Sequence, residues 1–369
     1  AVERHFDRNG GDMLAAICAA YDDLEGDYAF VITHRDEERL YAIKKGSGLV
    51  AGRGEGMSVI SSDLPSLLPL TRRIVRVYDG EIVVLTPDSV ELYSVRDRAP
   101  IQRDEEWYDG PIEVAEKGGY PHFMLKEIHE QPTVAGELLH LLNSSRYVQP
   151  FLDALTATGD RPVYLVGCGT SYHACLLGAY YFNQIASRPA VAVLGPQFIE
   201  QYGRSLGPQD TAVFVSQSGE TKDVLNAVKV MRERGGRVLG VLNVVGSSLA
   251  HGSDVYLPLA CGYEISVPAT KTFVNQAALF LHLATRLAGR DPANLNPLPE
   301  LLSRTLDATD AAAREVAAYL HDWNDMYYLG YGITHPIALE GALKLKEITY
   351  AHCEGSFFSE FKHGPLSAV

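Results

Sequence analysis

The chain has 369 residues, enough for two or three domains with ample core, and 46% hydrophobic with 21% charged residues is an ordinary globular balance. Lys plus Arg is 32 against 46 Asp plus Glu, a formal net charge of −14 that argues against nucleic acid as a main partner, since a phosphate backbone requires a basic face. No apolar run reaches the length of a membrane span and no signal peptide is visible. The scattered Cys18, Cys168, Cys175, Cys261 and Cys353 contain no CxxC, which fits free thiols in a reducing cytoplasm rather than disulfides or a metal site.

The chain starts at Ala1 in a helical pattern and stops at Val369 just after a glycine-proline turn, so a piece of a longer protein is expected. Residues Asp12–Leu24 have helical apolar spacing. Short strands are predicted at Tyr28–Thr33, Leu40–Ile43, Leu49–Gly52 and Ser58–Ser61. Ile74–Tyr78 and Glu81–Leu85 flank Asp79-Gly80, a hairpin signal. This part reads as half of a layered α+β domain with antiparallel sheets. No nucleophile–base set occurs in it, and His5 and His34 have no partner at telling spacing. Residues 96 to 145 read as a charged bridge bearing Gly and Pro, with a short helix from His122 stopped before Pro132. His122 and His129 there read as packing or interface residues.

From residue 160 onward strands and helices alternate, the pattern of a parallel sheet covered on both faces. Val163–Gly167 is the first strand, Cys168-Gly169-Thr170-Ser171 its turn and Tyr172–Ile185 its helix. Thr211–Val215 runs into Ser216-Gln217-Ser218-Gly219-Glu220-Thr221 and then a helix. A strand feeding a polar, glycine-containing turn into a helix presents unpaired N–H groups and the positive end of the helix dipole. With Ser216, Ser218 and Thr221 on the same turn, it reads as a cradle for a phosphomonoester. Ordinary helix capping explains one such turn equally well. A second hydroxyl-rich turn at Cys168–Ser171 favours the phosphate, because ligands of open parallel sheets bind beyond the carboxyl ends of strands.

Tyr164–Thr170 and Tyr327–Ile333 both run from a strand into Gly-x-Gly and a helix, which points to a duplicated domain whose second copy starts near residue 325. In that copy Glu340, Lys344 and Glu347 share one helix face. A solvated ion-pair face is the usual meaning of this spacing. Leu339, Leu343 and Ile348 imply a packed helix, however, and a half-buried carboxylate beside an ammonium suits proton transfer on a sugar carbon. His363, in Lys362-His363-Gly364-Pro365, is either an acid–base group near neutral pH or a surface histidine.

Cys168–Ser171, Ser216–Thr221, Glu340–Glu347 and Lys362–Pro365, in this order, resemble the sugar isomerase (SIS) domains of the glutamine–fructose-6-phosphate aminotransferase family. The run Gly46–Asp63 resembles the later half of that family's glutaminase domain, and His122–Pro132 its bridge. The resemblance implies an α/β fold: SIS-type three-layer domains with parallel sheets, the first copy complete and the second truncated, preceded by a partial α+β glutaminase-like domain of the Ntn hydrolase type. The implied division is 1–95 glutaminase-like, 96–145 bridge, 146–295 first SIS domain and 300–369 start of the second.

The resemblance also implies roles. Cys168, Gly169, Thr170, Ser171, Ser216, Gln217, Ser218, Thr221, Val267 and Ala269 would contact the sugar phosphate. Glu347 would move a proton between C1 and C2, Lys344 would assist, and His363 would open the ring from a neighbouring subunit. The expected partners are fructose 6-phosphate or glucosamine 6-phosphate, glutamine only in the full-length protein, and a second copy of the chain, at least a dimer. No cofactor, metal, nucleic acid or membrane is implied, and the location is cytoplasmic. Departures are Pro268 in place of alanine, Ala269 in place of a substrate-contacting serine, and the bulky Gly355–Ser359 run. The glutaminase cysteine and the C-terminal lysine are missing, so little or no synthase turnover is expected. The alternatives are a phosphosugar-binding SIS regulator and a related phosphosugar isomerase or deglycase.

Overall fold

The computed structural model describes residues 1–62, 64–109, 117–143 and 145–369. Asp63 of the glutaminase-like run, and residues 110–116 and 144 of the bridge, lie outside the described residues. The chain divides into two compact units, Ala1–Glu116 and Lys117–Val369.

The first unit holds two antiparallel sheets. One orders its strands Tyr28–Thr33, Leu40–Lys45, Glu81–Thr86, Ser89–Ser94, Pro100–Ile101; the other Ser58–Ser61, Val50–Arg53, Arg73–Arg76, Glu106–Trp107. Val83, Leu85 and Leu92 share an apolar core with Ala51 and Val75, so the sheets face each other. Ile82 and Val84, on the alternate face, pack with Met13 and Ile17 of the helix Met13–Asp23. Asp12 caps that helix by accepting the Ala15 N–H at 3.0 Å.

The expected hairpin about Asp79-Gly80 does not form. Glu81–Thr86 pairs with Leu40–Ile43 and Ser89–Ser94, whereas Arg73–Arg76 pairs in the other sheet with Val50–Gly52 and Glu106–Trp107. The turn instead passes the chain between layers, with Asp79 Oδ2 accepting the Gly46 N–H at 3.0 Å. A turn signal marks a reversal and does not choose the pairing; burial of both faces of Glu81–Thr86 decides it here.

The second unit begins with α1 (Phe123–Leu142) and α2 (Ser145–Thr156). It continues β1 (Val163–Gly167), α3 (Thr170–Gln184), β2 (Ala190–Leu194), α4 (Gly195–Tyr202), β3 (Thr211–Ser216), α5 (Lys222–Glu233), β4 (Arg237–Leu242), α6 (Ser248–Gly252), β5 (Val255–Pro258) and α7 (Lys271–Leu287). α8 (Leu298–Leu320) leads to β6 (Asp325–Gly330), α9 (His335–Thr349) and β7 (His352–Phe357). α1 runs through Pro132, where the sequence predicts a stop. An interior proline costs about 3 kcal/mol; burial of Val134, Ala135, Leu138, Leu139 and Leu142 in the following turns outweighs it.

Strands β1 to β5 are all parallel, in the order β2-β1-β3-β4-β5. Val163, Leu165, Val213, Val215, Leu239 and Val241 face one core with residues of α1, α2, α3 and α7. Tyr164, Val166, Ala212, Phe214, Val238 and Leu242 face the other, with α4, α5 and α6. The result is a three-layer α/β sandwich with one complete sheet. From β1 the chain crosses to β2 on one side and then to β3 on the other, so the switch point falls between β1 and β3. Val166 pairs with Phe214. The turns Cys168–Ser171 and Ser216–Thr221 therefore leave neighbouring strands at the same edge.

The repeat read from the sequence has a backbone counterpart. β6 pairs with β7 in parallel, and α9 packs on both and on α3. A Cβ on Gly167 would collide with the Ser171 backbone, and one on Gly330 with the Thr334 carbonyl. Gly169 has φ +53° and Gly332 has φ +56°. Two glycines thus serve the same two needs in each copy.

Candidate active site

The hydroxyls of the two turns fall into two groups. Ser171 and Ser216 are buried. Ser171 Oγ accepts from Gln276 Nε2 at 3.1 Å. Ser216 Oγ accepts the Gly219 N–H at 3.0 Å and lies 2.9 Å from Thr221 Oγ1. These two serines brace the turns. Ser218 and Thr221 are half-buried. Ser218 Oγ accepts the Glu220 N–H at 3.1 Å, which leaves its own proton for a ligand. Two turn amides are thus taken by the turn's own hydroxyls, an arrangement common to serine turns. What remains for an anion is the Ser218 and Thr221 hydroxyls and the start of α5.

The second turn is held rigidly. Gly219, at φ +69°, sits so close to Ser247 that no Cβ fits. Its carbonyl accepts the Leu249 N–H at 3.0 Å, and the Gln217 carbonyl accepts that of Asn243 at 3.0 Å. Glu220 Oε1 accepts the Ser248 N–H at 2.7 Å. In the first turn, Gly169 supplies the positive φ and is exposed, while burial raises the half-buried Cys168 thiol above its ordinary value.

α9 brings its charged face onto the first turn. Lys344 Nζ donates to Thr170 Oγ1 at 3.0 Å, and Thr170 Oγ1 donates to Glu340 Oε1 at 3.0 Å. Lys344 Nζ lies 2.7 Å from Glu347 Oε2 and 3.4 Å from Glu340 Oε1. His173 Nδ1 lies 2.7 Å from Glu340 Oε2. A carboxylate only accepts, so Nδ1 carries the proton. Glu340 is 5% exposed. Burial, aided by the nearby His173, lowers the affinity of the His335 ring for a proton. Of the two carboxylates on Lys344, Glu347 is the more open, with 28% of its side chain exposed against 7% for Glu340. An ammonium tethered between a buried and an open carboxylate is suited to hold the open one as a proton acceptor.

Val267 and Ala269 stand on the irregular segment between β5 and α7. Val267 is 85% exposed and Ala269 half-buried. Glu264 holds this segment by accepting the Thr270 N–H at 2.7 Å, the Thr272 N–H and the Thr272 hydroxyl. Burial raises its carboxyl above the usual range against those bonds. His363 is exposed on the turn after Phe358–Phe361, and among the described residues no ion pair or hydrogen bond of its side chain joins it to Lys344 or Glu347. Among the described residues no group of His, Cys, Asp or Glu could hold a metal.

A family model described as the SIS domain matches residues 159–286 and 319–369. The chain thus carries two SIS-matched stretches, which together make up just under half of it. It is 38% identical over 97% of its length to a glutamine–fructose-6-phosphate aminotransferase [isomerizing] of Aquifex aeolicus, and 40% identical over 99% to that of Pyrobaculum aerophilum. It covers 60% and 61% of those relatives, so it spans about three fifths of their length. Among solved structures it is similar to the C-terminal domain of glucosamine-fructose-6-phosphate aminotransferase from Francisella tularensis, with TM-score 0.62 and 29% identity over 69% of this chain and 75% of that one.

Within this SIS framework, sequence reasoning placed Thr170, Lys344 and Glu347 in one site and missed His173, Glu340 as a bridging group, and Gln276. Glu340 was visible as the i−4 neighbour of Lys344. His173 carried one signal, its place directly after the hydroxyl turn. Gln276 carried none, since nothing in an apolar helix pattern marks a partner for Ser171.

Proposed function

We propose that this chain holds the fructose 6-phosphate site of a glutamine–fructose-6-phosphate aminotransferase, in which fructose 6-phosphate and glutamine become glucosamine 6-phosphate and glutamate. The observation that carries the reading is the seat of Lys344: 3.0 Å from Thr170 on the switch-point turn and 2.7 Å from Glu347. It sets an acid–base pair beside a turn built for an anion. The relatives' names, in matches that run along nearly the whole chain, support the same substrates.

In this reading Gln217, Ser218, Thr221 and the start of α5 take the phosphate, with Ser216 and Ser171 shaping the turns and Cys168, Gly169 and Thr170 lining the sugar. Val267 and Ala269 contact the sugar from the third segment. Glu347 moves the proton between C1 and C2, Lys344 holds it in place, and His363 opens the ring from a neighbouring copy, which makes the working form at least a homodimer. Residues 1–95 form a glutaminase-like portion of Ntn type that would handle glutamine in the longer protein. Residues 96–145 form the bridge, 146–295 the first SIS domain and 300–369 the beginning of the second. The enzyme works in the cytoplasm. No helix among the described residues is long and apolar enough to cross a membrane.

The test is a Glu347→Gln variant in the protein extended to its relatives' length. Calorimetry should show fructose 6-phosphate still bound, and NMR in deuterated water should show proton exchange at C1 and C2 lost. Undiminished exchange would remove Glu347 from its role.

A further inference from the structure

The segment 261–270, between β5 and α7, has no regular structure and must find partners for its backbone elsewhere. Asn243 supplies two, accepting the Cys261 N–H at 2.9 Å and donating to the Gly262 carbonyl at 2.6 Å. Glu264 supplies the Thr270 end. The middle is held from outside the SIS-matched residues. Glu127 of α1, 2% exposed, accepts the Ile265 N–H at 2.6 Å and the Ser266 N–H at 3.1 Å with one oxygen, Oε1. Its other oxygen is buried with no partner among the described residues. Everything this buried carboxylate binds there is the loop. One turn further along α1, Glu130 Oε2 lies 2.7 Å from Nζ of Lys271, the 3% exposed first residue of α7.

We propose that Glu127 is a positioning residue for the sugar subsite: by clasping the Ile265 and Ser266 amides it fixes the segment on which Val267 and Ala269 stand. Val267 follows the clasped Ser266 directly, and Ser266 Oγ donates to the Pro268 carbonyl at 2.8 Å, so the clasp passes to Pro268 and Ala269 through one short turn. Pro268 is buried and Val267 open, which leaves the clasp to choose where Val267 points. The reach of the proposal to the sugar rests on the reading above. The clasp itself does not.

The experiment compares the chain with its Glu127→Ala and Glu127→Gln variants. Amide hydrogen exchange is followed at 265 and 266, and calorimetry is run with fructose 6-phosphate and, separately, with inorganic phosphate. Removing the acceptor should speed exchange at both amides and weaken fructose 6-phosphate about tenfold while leaving inorganic phosphate unchanged. Glutamine keeps an acceptor oxygen and should restore binding to within roughly threefold. If the alanine variant does not fold, Glu127→Asp, which withdraws the acceptor, should show the same pattern more weakly. Unchanged exchange at 265 and 266 would overturn the proposal, as would equal loss of both ligands, the mark of a merely structural role. Faster exchange in a chain that never binds fructose 6-phosphate would overturn the positioning role by removing the sugar site, and would leave the clasp as architecture alone.

Discussion

His173 on α3 and Glu340 on α9 meet at 2.7 Å, joining the first helix of one copy of the repeat to the first helix of the other. The carboxylate that receives this ring also receives Thr170 and lies 3.4 Å from Lys344. Removing it leaves the His173 ring and the Thr170 hydroxyl without their acceptor in a largely buried place, and leaves Lys344 with Glu347 as its one carboxylate among these contacts. Glu340→Ala should therefore lower the unfolding free energy by about 3 kcal/mol, and Glu340→Gln by clearly less, since an amide oxygen still accepts. Urea unfolding of both variants measures this. A loss in the alanine variant no larger than at an exposed glutamate would show the contact to be incidental.

Ser218 and Ser216 should separate by assay. Ser218→Ala removes an outward hydroxyl and should weaken fructose 6-phosphate by about tenfold with little change in stability. Ser216→Ala removes the acceptor of the Gly219 amide and should destabilise the fold by about 1 kcal/mol. Calorimetry and thermal unfolding on the two variants decide it, and equal sugar-phosphate affinity in Ser218→Ala would count against the phosphate turn.

The paired glycines make a structural prediction. Gly330→Ala drives a methyl into the Thr334 carbonyl and should cost about 1–3 kcal/mol. Gly332→Ala strains a backbone at φ +56° and should cost about 1–2 kcal/mol. Gly207, with nothing near its Cβ and an ordinary φ, is the control and should tolerate alanine. Thermal unfolding of all three should rank them in this order against Gly207→Ala.

Acid stability should carry the mark of His282. The ring is 1% exposed on α7, and burial pushes its pKa down from 6.5 to about 4. The unfolded chain then binds a proton that the folded one refuses, so stability is full above pH 6.5 and falls as the pH drops toward 4. Glu264, raised by burial, works in the opposite sense and gains stability on acidification. His282→Leu should flatten the decline between these pH values. A melting-temperature profile of the same shape in that variant would show that other groups govern it.

The central sheet was legible because its strands are buried on both faces and so read as short apolar runs; Val163–Gly167 falls where the pattern puts it, and Thr211–Ser216 extends the expected strand by one residue. Local chemistry misled in two places. Pro132 is a stop by itself and is overruled by the apolar face beyond it. Asp79-Gly80 is a hairpin by itself and is overruled by the burial of the strand it feeds. The site was legible where partners lie one helical turn apart, as with Lys344 and Glu347. His173 with Glu340, and Glu127 with Ile265, are far apart along the chain, and no spacing announces them.

The twin Gly-x-Gly turns have consequences for how the two copies can change. One retains the turn and its hydroxyls, and the other lends the helix whose lysine closes over them. Each half thus supplies what the other lacks at this seam. A change in α9 at Lys344 is therefore felt at Thr170 in the first turn, and neither copy can stand in for the other.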